Sequence, residues 1–336
     1  MTTLPAIPVI DARQGGPLAV AQAAERQMQA LLDNARRLIP PPLLAITDRA
    51  SRKWLARAQN PYLDEIDAIA ALAGRSGAHT LNTSFEWCCT CGVGDDPEGG
   101  VRLLRVLDWG QSGLGRAVIV AWQQGPAGDF ANITWPGFVG VITAMAPGRF
   151  AVALNQAPMM SWGLSRPIDW LIGRVNVWRS QALPAAHLSR RVCETCASYA
   201  DAAEMLSQTP LCLPALFTLA GTEPGQGCVI ERTPNAATRR ELPTAVANRW
   251  ANDWSNPGAD HWVDPPRGDR PRGVASRERQ ALMEAALAGG TSWTVPPIIN
   301  RDTRLVATIN PARGSLTLQG WEKDGPVTAE LALQNT

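Results

Sequence analysis

Apolar positions along this 336-residue chain change their period near residue 88. Before that point they recur at helical spacing: Leu18 to Ile39 reads as a helix stopped by Pro40-Pro41-Pro42, and Tyr62 to Leu72 as a second. After it, short apolar runs divided by turn residues predict strands. These are Val101 to Asp108, Ala117 to Gln123, Asn132 to Trp135, Val139 to Ala146 and Phe150 to Asn155, then Ala215 to Ala220, Cys228 to Glu231 and Thr244 to Asn248. Helices are expected at Pro167 to Val177, Tyr199 to Leu206 and Ser276 to Ala288, and a last strand pair at Leu305 to Asn310 and Ser315 to Gln319. Helices grouped in blocks between strands, without strict alternation, predict antiparallel α+β layers behind a mainly helical front segment.

The junction carries the candidate chemistry. Asp95-Asp96-Pro97-Glu98-Gly99-Gly100 is a dense turn signal between the apolar runs Cys89 to Gly94 and Val101 to Trp109, so a β-hairpin is expected. Folding back brings Arg105 and Asp108 towards Cys89. Because they differ by an odd number, a bulge or strand end is needed for both to reach it. A guanidinium favours a nearby thiolate, whereas a carboxylate disfavours it and suits an amine.

Ordered motifs around this hairpin resemble one family. Upstream are Pro61-Tyr62-Leu63-Asp64-Glu65-Ile66 and Asn82-Thr83-Ser84-Phe85-Glu86; downstream are Trp135-Pro136-Gly137-Phe138-Val139-Gly140, Ala146-Pro147-Gly148-Arg149-Phe150, Leu154-Asn155-Gln156 and Ile168-Asp169-Trp170-Leu171-Ile172-Gly173. Pro214-Ala215-Leu216-Phe217 and Gly225-Gln226-Gly227-Cys228-Val229-Ile230 continue the run. Together, over roughly Tyr62 to Met283, they resemble the acid ceramidase and N-acylethanolamine-hydrolysing acid amidase branch of the choloylglycine hydrolase superfamily, whose members are N-terminal-nucleophile (Ntn) amidases.

The resemblance implies a four-layer αββα sandwich, with residues 1–88 as a propeptide or α-subunit-like segment and residues 89–336 as the catalytic, β-subunit-like domain. It places Cys89 on the nucleophile, Arg105 and Asp108 on its flanking pair, Asn252 on an oxyanion-hole asparagine and Arg277 on a late site arginine, with Arg270 and Arg272 as rivals. Asn155, Gln156, Trp109 and Trp135 are the expected substrate-binding residues; Trp87 and Trp162 also lie near site segments. Acid ceramidase-like enzymes carry a glutamate where this chain has Gln156, which puts pH dependence and substrate class in question.

The implied chemistry starts with attack of the Cys89 thiol on the Cys88 carbonyl. An N-to-S acyl shift and hydrolysis follow, freeing an α-amine whose reference pKa of about 7.7 to 8.0 lets it serve as base, so no histidine is needed. The substrate implied is a fatty-acyl amide, split through a thioester on Cys89. Two alternatives stay open: an acyltransferase that passes the acyl group to an amine, and an unprocessed, non-catalytic binding protein.

Composition narrows the remainder. A formal net charge of +1 argues against nucleic acid as main partner, since phosphate binding needs clustered basic excess. Lys53 and Lys323 are the only lysines, a bias expected of a GC-rich bacterial genome. The apolar patch Leu4 to Ile10 lacks a basic start and holds two prolines, so a soluble cytoplasmic protein is expected, with no transmembrane segment and the sequons at Asn82 and Asn132 as chance matches. Seven cysteines do not suggest a disulfide framework, and Cys193-Glu194-Thr195-Cys196 has no histidines at ligand spacing, so neither metal nor cofactor is expected. Cys88 is the one rival to Cys89 as nucleophile. Thirteen tryptophans against two tyrosines point to core packing for most, with the rest available to line an acyl pocket.

Overall fold

The computed structural model describes residues 3–84, 88–160, 162, 164–251, 262–263, 274–289 and 292–334. A short strand, β1 (Val9–Asp11), leads into α1 (Gly16–Ala23), α2 (Glu25–Leu38), α3 (Pro41–Arg57), α4 (Leu63–Ala73) and α5 (Ala78–Asn82). The hairpin β2 (Cys88–Asp95) and β3 (Val101–Asp108) follows, then β4 (Ile119–Gly125), β5 (Gly128–Thr134), β6 (Thr143–Ala146), β7 (Phe150–Gln156) and β8 (Met159–Met160). Next come α6 (Arg166–Arg179), α7 (Ala185–Thr195) and α8 (Tyr199–Gln208), then β9 (Ala215–Ala220), β10 (Gly227–Arg232), β11 (Ala237–Glu241), β12 (Thr244–Val246) and β13 (Trp262–Val263). Helix α9 (Val274–Leu287) precedes β14 (Thr303–Asn310), β15 (Ser315–Glu322), β16 (Gly325–Pro326) and β17 (Leu331–Gln334).

Two sheets carry the fold, and the α+β expectation holds. One has eight strands in the order β1-β4-β5-β6-β7-β9-β10-β11; the other has β12-β2-β3-β14-β15-β16 with β17 beside β15. Strands β2 and β3 pack against β7 and β9, α7 and α8 cover the far side of the first sheet, and α9 covers the far side of the second. That is the four-layer order α, β, β, α.

Alternation along the hairpin divides its side chains between two cores. Cys89, Cys91, Val93, Leu103 and Leu107 point into the space between the sheets, whereas Leu104 and Val106 pack outward with Met283 of α9. Gly92 and Gly94 share that outward face. A Cβ on Gly92 would lie 2.7 Å from Met283 Cγ and one on Gly94 3.2 Å from Leu287 Cδ2, so the two glycines let α9 settle directly on β2.

The front segment is built into the body. β1 adds a parallel edge strand to β4, and Leu31, Trp54, Leu55, Ile66 and Ile69 belong to the same core as Trp135 and Phe138. The triple proline follows the end of α2 at Leu38, as expected, and also begins another helix: Pro41 and Pro42 occupy the first turn of α3, where the missing N–H costs nothing and the fixed φ suits helix entry. Helix α2 instead starts after a break at Ala24, and the strand expected from Val139 shortens to β6. Asn82 and Asn132 are buried, so neither sequon offers its nitrogen to solvent. Among the described residues no helix is long and apolar enough to cross a membrane, and no cluster of three His, Cys, Asp or Glu could hold a metal ion.

Candidate active site

Hairpin register places the junction residues. Cys88 pairs with Asp108, Cys89 with Leu107 and Cys91 with Arg105, without a slip between β2 and β3. Arg105 therefore lies on the inner face with Cys89, while Asp108, at the end of β3, turns to the outer face with Thr90. A local irregularity occurs one strand further out, between Thr303 and Leu305 of β14.

Cys89 is fully buried, and its own peptide groups are gripped by side chains from distant elements. Its N–H donates to Asn248 Oδ1 at 3.0 Å, and its carbonyl accepts from Arg279 Nη1 at 2.9 Å. Arg279 also donates to Thr90 Oγ1 at 2.8 Å and to Asn248 Oδ1 at 3.1 Å. Asn248 Nδ2 in turn donates to the Gln156 carbonyl at 2.9 Å. Burial pushes the Cys89 thiol up to about 12, with the Arg105 charge opposing, so in the uncut chain the sulfur is a thiol at neutral pH.

Arg105 is buried on the inner face. Its Nη1 donates to Cys91 Sγ at 3.0 Å and to Asn155 Oδ1, and its Nη2 to the Leu154 carbonyl at 2.9 Å. On the outer face, Asp108 accepts from Thr303 Oγ1 at 2.8 Å and from Asn300 Nδ2 at 3.0 Å, and its carboxylate lies 3.6 Å from Arg279 Nη1. A cation thus stands on each side of the strand that carries the thiol. The inner one acts on sulfur, the outer one on the backbone and on Asp108.

The expected residues divide into three groups. Cys89, Arg105, Asp108, Asn155 and the Gln156 backbone come together at the start of the hairpin. Asn155 is wholly enclosed: its Nδ2 donates to the Val246 and Ala247 carbonyls at 3.2 and 2.9 Å, so all its polar atoms are spent inside the protein, holding Arg105 and β12. Asn252, Arg270, Arg272 and Trp87 lie outside the described residues. Arg277 is not brought to the site: it is exposed on α9, and Arg279 two residues later is the arginine that reaches Cys89. Adjacent odd positions on a helix lie about 200° apart, so only one of the two can face the sheet.

Trp109 and Trp135 stand at a separate place, edge to face with ring centroids 5.9 Å apart, and Trp135 Nε1 donates to the Leu114 carbonyl at 2.7 Å. They line a cavity of about 40 Å³ with Met28, Leu31 and Ile69 from the front segment. Its walls come from both sides of the Cys88–Cys89 junction. Trp162 is half-buried ahead of α6, its N–H on Asp169 Oδ1 at 3.1 Å. Cys193 and Cys196 are buried at the end of α7, their carbonyls accepting from Arg149 Nη1 at 3.1 and 2.7 Å, a structural use.

Asn248 and Arg279 were not singled out from sequence. Asn248 ends the predicted strand Thr244 to Asn248, and a polar amide closing an apolar run beside the site sheet is the signal that was available. Arg279 lay in the predicted helix Ser276 to Ala288, where a buried face would have favoured an arginine at helical spacing from Met283.

No protein-family model matches the chain. Among curated proteins it is similar to acid ceramidase of Macaca fascicularis, 26% identical over 243 residues that make up 66% of this chain and 60% of that one. It is 24% identical to acid ceramidase of Homo sapiens over 296 residues, 81% of this chain and 73% of the human protein. These relatives bear out the resemblance drawn from the motifs. Among solved structures, the Caenorhabditis elegans N-acylethanolamine-hydrolyzing acid amidase ortholog aligns with a TM-score of 0.49 at 20% identity, covering 73% of this chain and all of that one. A conjugated bile acid hydrolase mutant from Clostridium perfringens aligns with a TM-score of 0.44 at 9% identity, covering 73% of this chain and 92% of that one.

Proposed function

We propose that this chain, a relative of the acid ceramidases, is a self-processing cysteine amidase that hydrolyses a fatty-acyl amide through a thioester on Cys89. The observation that supports it most is the convergence of Asn248 and Arg279 on the two peptide groups of Cys89, with Arg105 on the thiol's side of the strand. A purely structural cysteine in a strand needs none of these.

In the uncut chain the Cys89 thiol attacks the Cys88 carbonyl carbon. The acyl carbon moves from nitrogen to sulfur, and water then splits the thioester, leaving a carboxylate on Cys88 and an amine on Cys89. Residues 1–88 remain as an α-subunit, because β1 and helices α1 to α5 are part of the common core. Cys88 sits directly across from Asp108, so its departure vacates the place in front of that carboxylate, and the new amine turns towards it. In the second reaction the amine takes the thiol proton, the thiolate attacks the amide carbonyl, the proton passes to the leaving amine, and water then splits the thioester to release the fatty acid and restore the thiol. Arg105 stabilises the thiolate. Asn252 keeps the oxyanion role that the resemblance implies, an interaction whose loss costs about 3 kcal/mol of barrier, and Asn248 holds the Cys89 nitrogen. The apolar cavity at Trp109 and Trp135 is the place for the acyl chain; at its present volume it holds only a few waters, so the walls from α2 and α4 part to admit one.

Intact mass tests the first step. Cleavage before Cys89 splits the 36.1 kDa chain into pieces of about 9 and 27 kDa. Cys89→Ala is expected to remain a single chain and to release no fatty acid from a panel of N-acylethanolamines, ceramides and N-acyl amino acids; a normally cut Cys89→Ala chain defeats the reading. Adding free amines to the assay separates hydrolysis from acyl transfer by the product formed.

A further inference from the structure

Cys91 has no part in the steps above, yet Arg105 leans on it. Its sulfur accepts from Arg105 Nη1 at 3.0 Å and donates to Asn155 Oδ1 at 3.2 Å, and that oxygen also takes a hydrogen bond from Nη1. The three groups close a ring, all fully buried. Asn155 cannot turn, since its Nδ2 is committed to two backbone carbonyls. Thr218 faces the thiol from β9. Arg105 Nε has no hydrogen-bond partner among the described residues. Among the described residues the planar guanidinium is therefore oriented by its two terminal nitrogens alone, and Cys91 is one of two side chains that hold them.

Cys89 and Cys91 project from the same face of β2. A guanidinium anchored at Cys91 is held at a set distance from the neighbouring sulfur; released, it follows Asn155 and Leu154 alone. We propose that Cys91 is a positioning residue: its thiol keeps the Arg105 guanidinium within electrostatic reach of Cys89 and so sets the thiolate fraction of the nucleophile. The inference rests on the reading of Cys89 as nucleophile.

The test is the rate at which iodoacetamide modifies Cys89 in the full-length protein, resolved from Cys88 and Cys91 by tandem mass spectrometry at several pH values between 7 and 9. Cys91→Ala removes both hydrogen bonds; Cys91→Ser keeps a donor and an acceptor on a shorter arm. Modification of Cys89 is expected to slow about fivefold or more in Cys91→Ala and by less in Cys91→Ser, because the thiolate is the reacting species. Loosening of the core would instead expose Cys89 and speed its modification. An unchanged or faster rate in Cys91→Ala overturns the proposal, and if that variant does not fold, the same outcome in Cys91→Ser does so. In acyl-amide hydrolysis, kcat is expected to fall with KM within about twofold. Amidase activity surviving in Cys89→Ala would defeat the functional reading and leave the modification result standing on its own.

Discussion

Two buried arginines, Arg105 and Arg190, show how differently one side chain is used in this protein. Arg190 of α7 is neutralised on all sides: it meets Glu65 through Nη1 and Glu194 through Nε at 2.7 Å, and its guanidinium lies 4.2 Å from the Tyr62 ring centre. Tyr62 closes the group by donating to Glu194 Oε2 at 2.7 Å. Among the described residues Arg105 is hydrogen-bonded to a thiol, an amide and a backbone carbonyl, and it feels Asp108 through space. A buried cation with two carboxylates is a clamp, here joining the front segment to the body. One left with neutral acceptors keeps its field for other groups, and the Cys89 and Cys91 thiols lie within it.

Substituting each arginine separates these roles. Arg105→Gln is expected to lower kcat by about 10²- to 10³-fold while the chain still folds, since it removes the charge that favours the thiolate. Arg190→Leu leaves the half-buried Glu65 and Glu194 without their cation and is expected to cost about 1–3 kcal/mol in urea unfolding, with kcat per folded molecule unchanged. An activity loss confined to Arg190→Leu would reverse the assignment. On α9 the contrast is finer: Arg279→Ala, which frees the Cys89 carbonyl and Asp108, is expected to reduce kcat about 10- to 100-fold, measured beside the wild type at saturating substrate.

The clamp is also sensitive to acid. Asn60 Nδ2 donates to His187 Nδ1 at 2.9 Å, so the neutral ring carries its proton on Nε2, which has no partner among the described residues. Burial, and then the Arg190 charge, lowers the His187 pKa to about 3 from the usual 6.5. A depressed folded-state value means that the unfolded chain binds the proton more readily; this stability is complete above pH 6.5 and falls away as the pH drops towards 3, by up to about 1.4 kcal/mol per pH unit. His187→Gln is expected to flatten that slope, read as urea midpoints at pH 7, 5.5 and 4. The smallest effect belongs to Arg277→Ala: exposed on α9, it is expected to change kcat by less than about twofold.

Local chemistry reaches a definite distance into this molecule. Period-two runs and the Asp-Pro-Gly turn were enough to predict the hairpin, most strands of the two sheets, and Cys89, Arg105 and Asp108 as neighbours, because a hairpin carries its pairing partners in its own stretch of chain. Pro40-Pro41-Pro42 ends α2 as expected, but the helix it also begins, α3, is not legible from it, because proline ends one helix by the same property that begins another. Asn248 and Arg279 are separated from Cys89 by 159 and 190 positions. Their approach depends on how β12 docks on β2 and how α9 rests on Gly92 and Gly94. A rotation of α9 by two residues, about 200°, would exchange the buried and exposed arginines. Sequence alone thus determined the hairpin that carries Cys88, Cys89 and Cys91; packing between layers, which no short-range pattern encodes, decided which amide and which guanidinium close around Cys89.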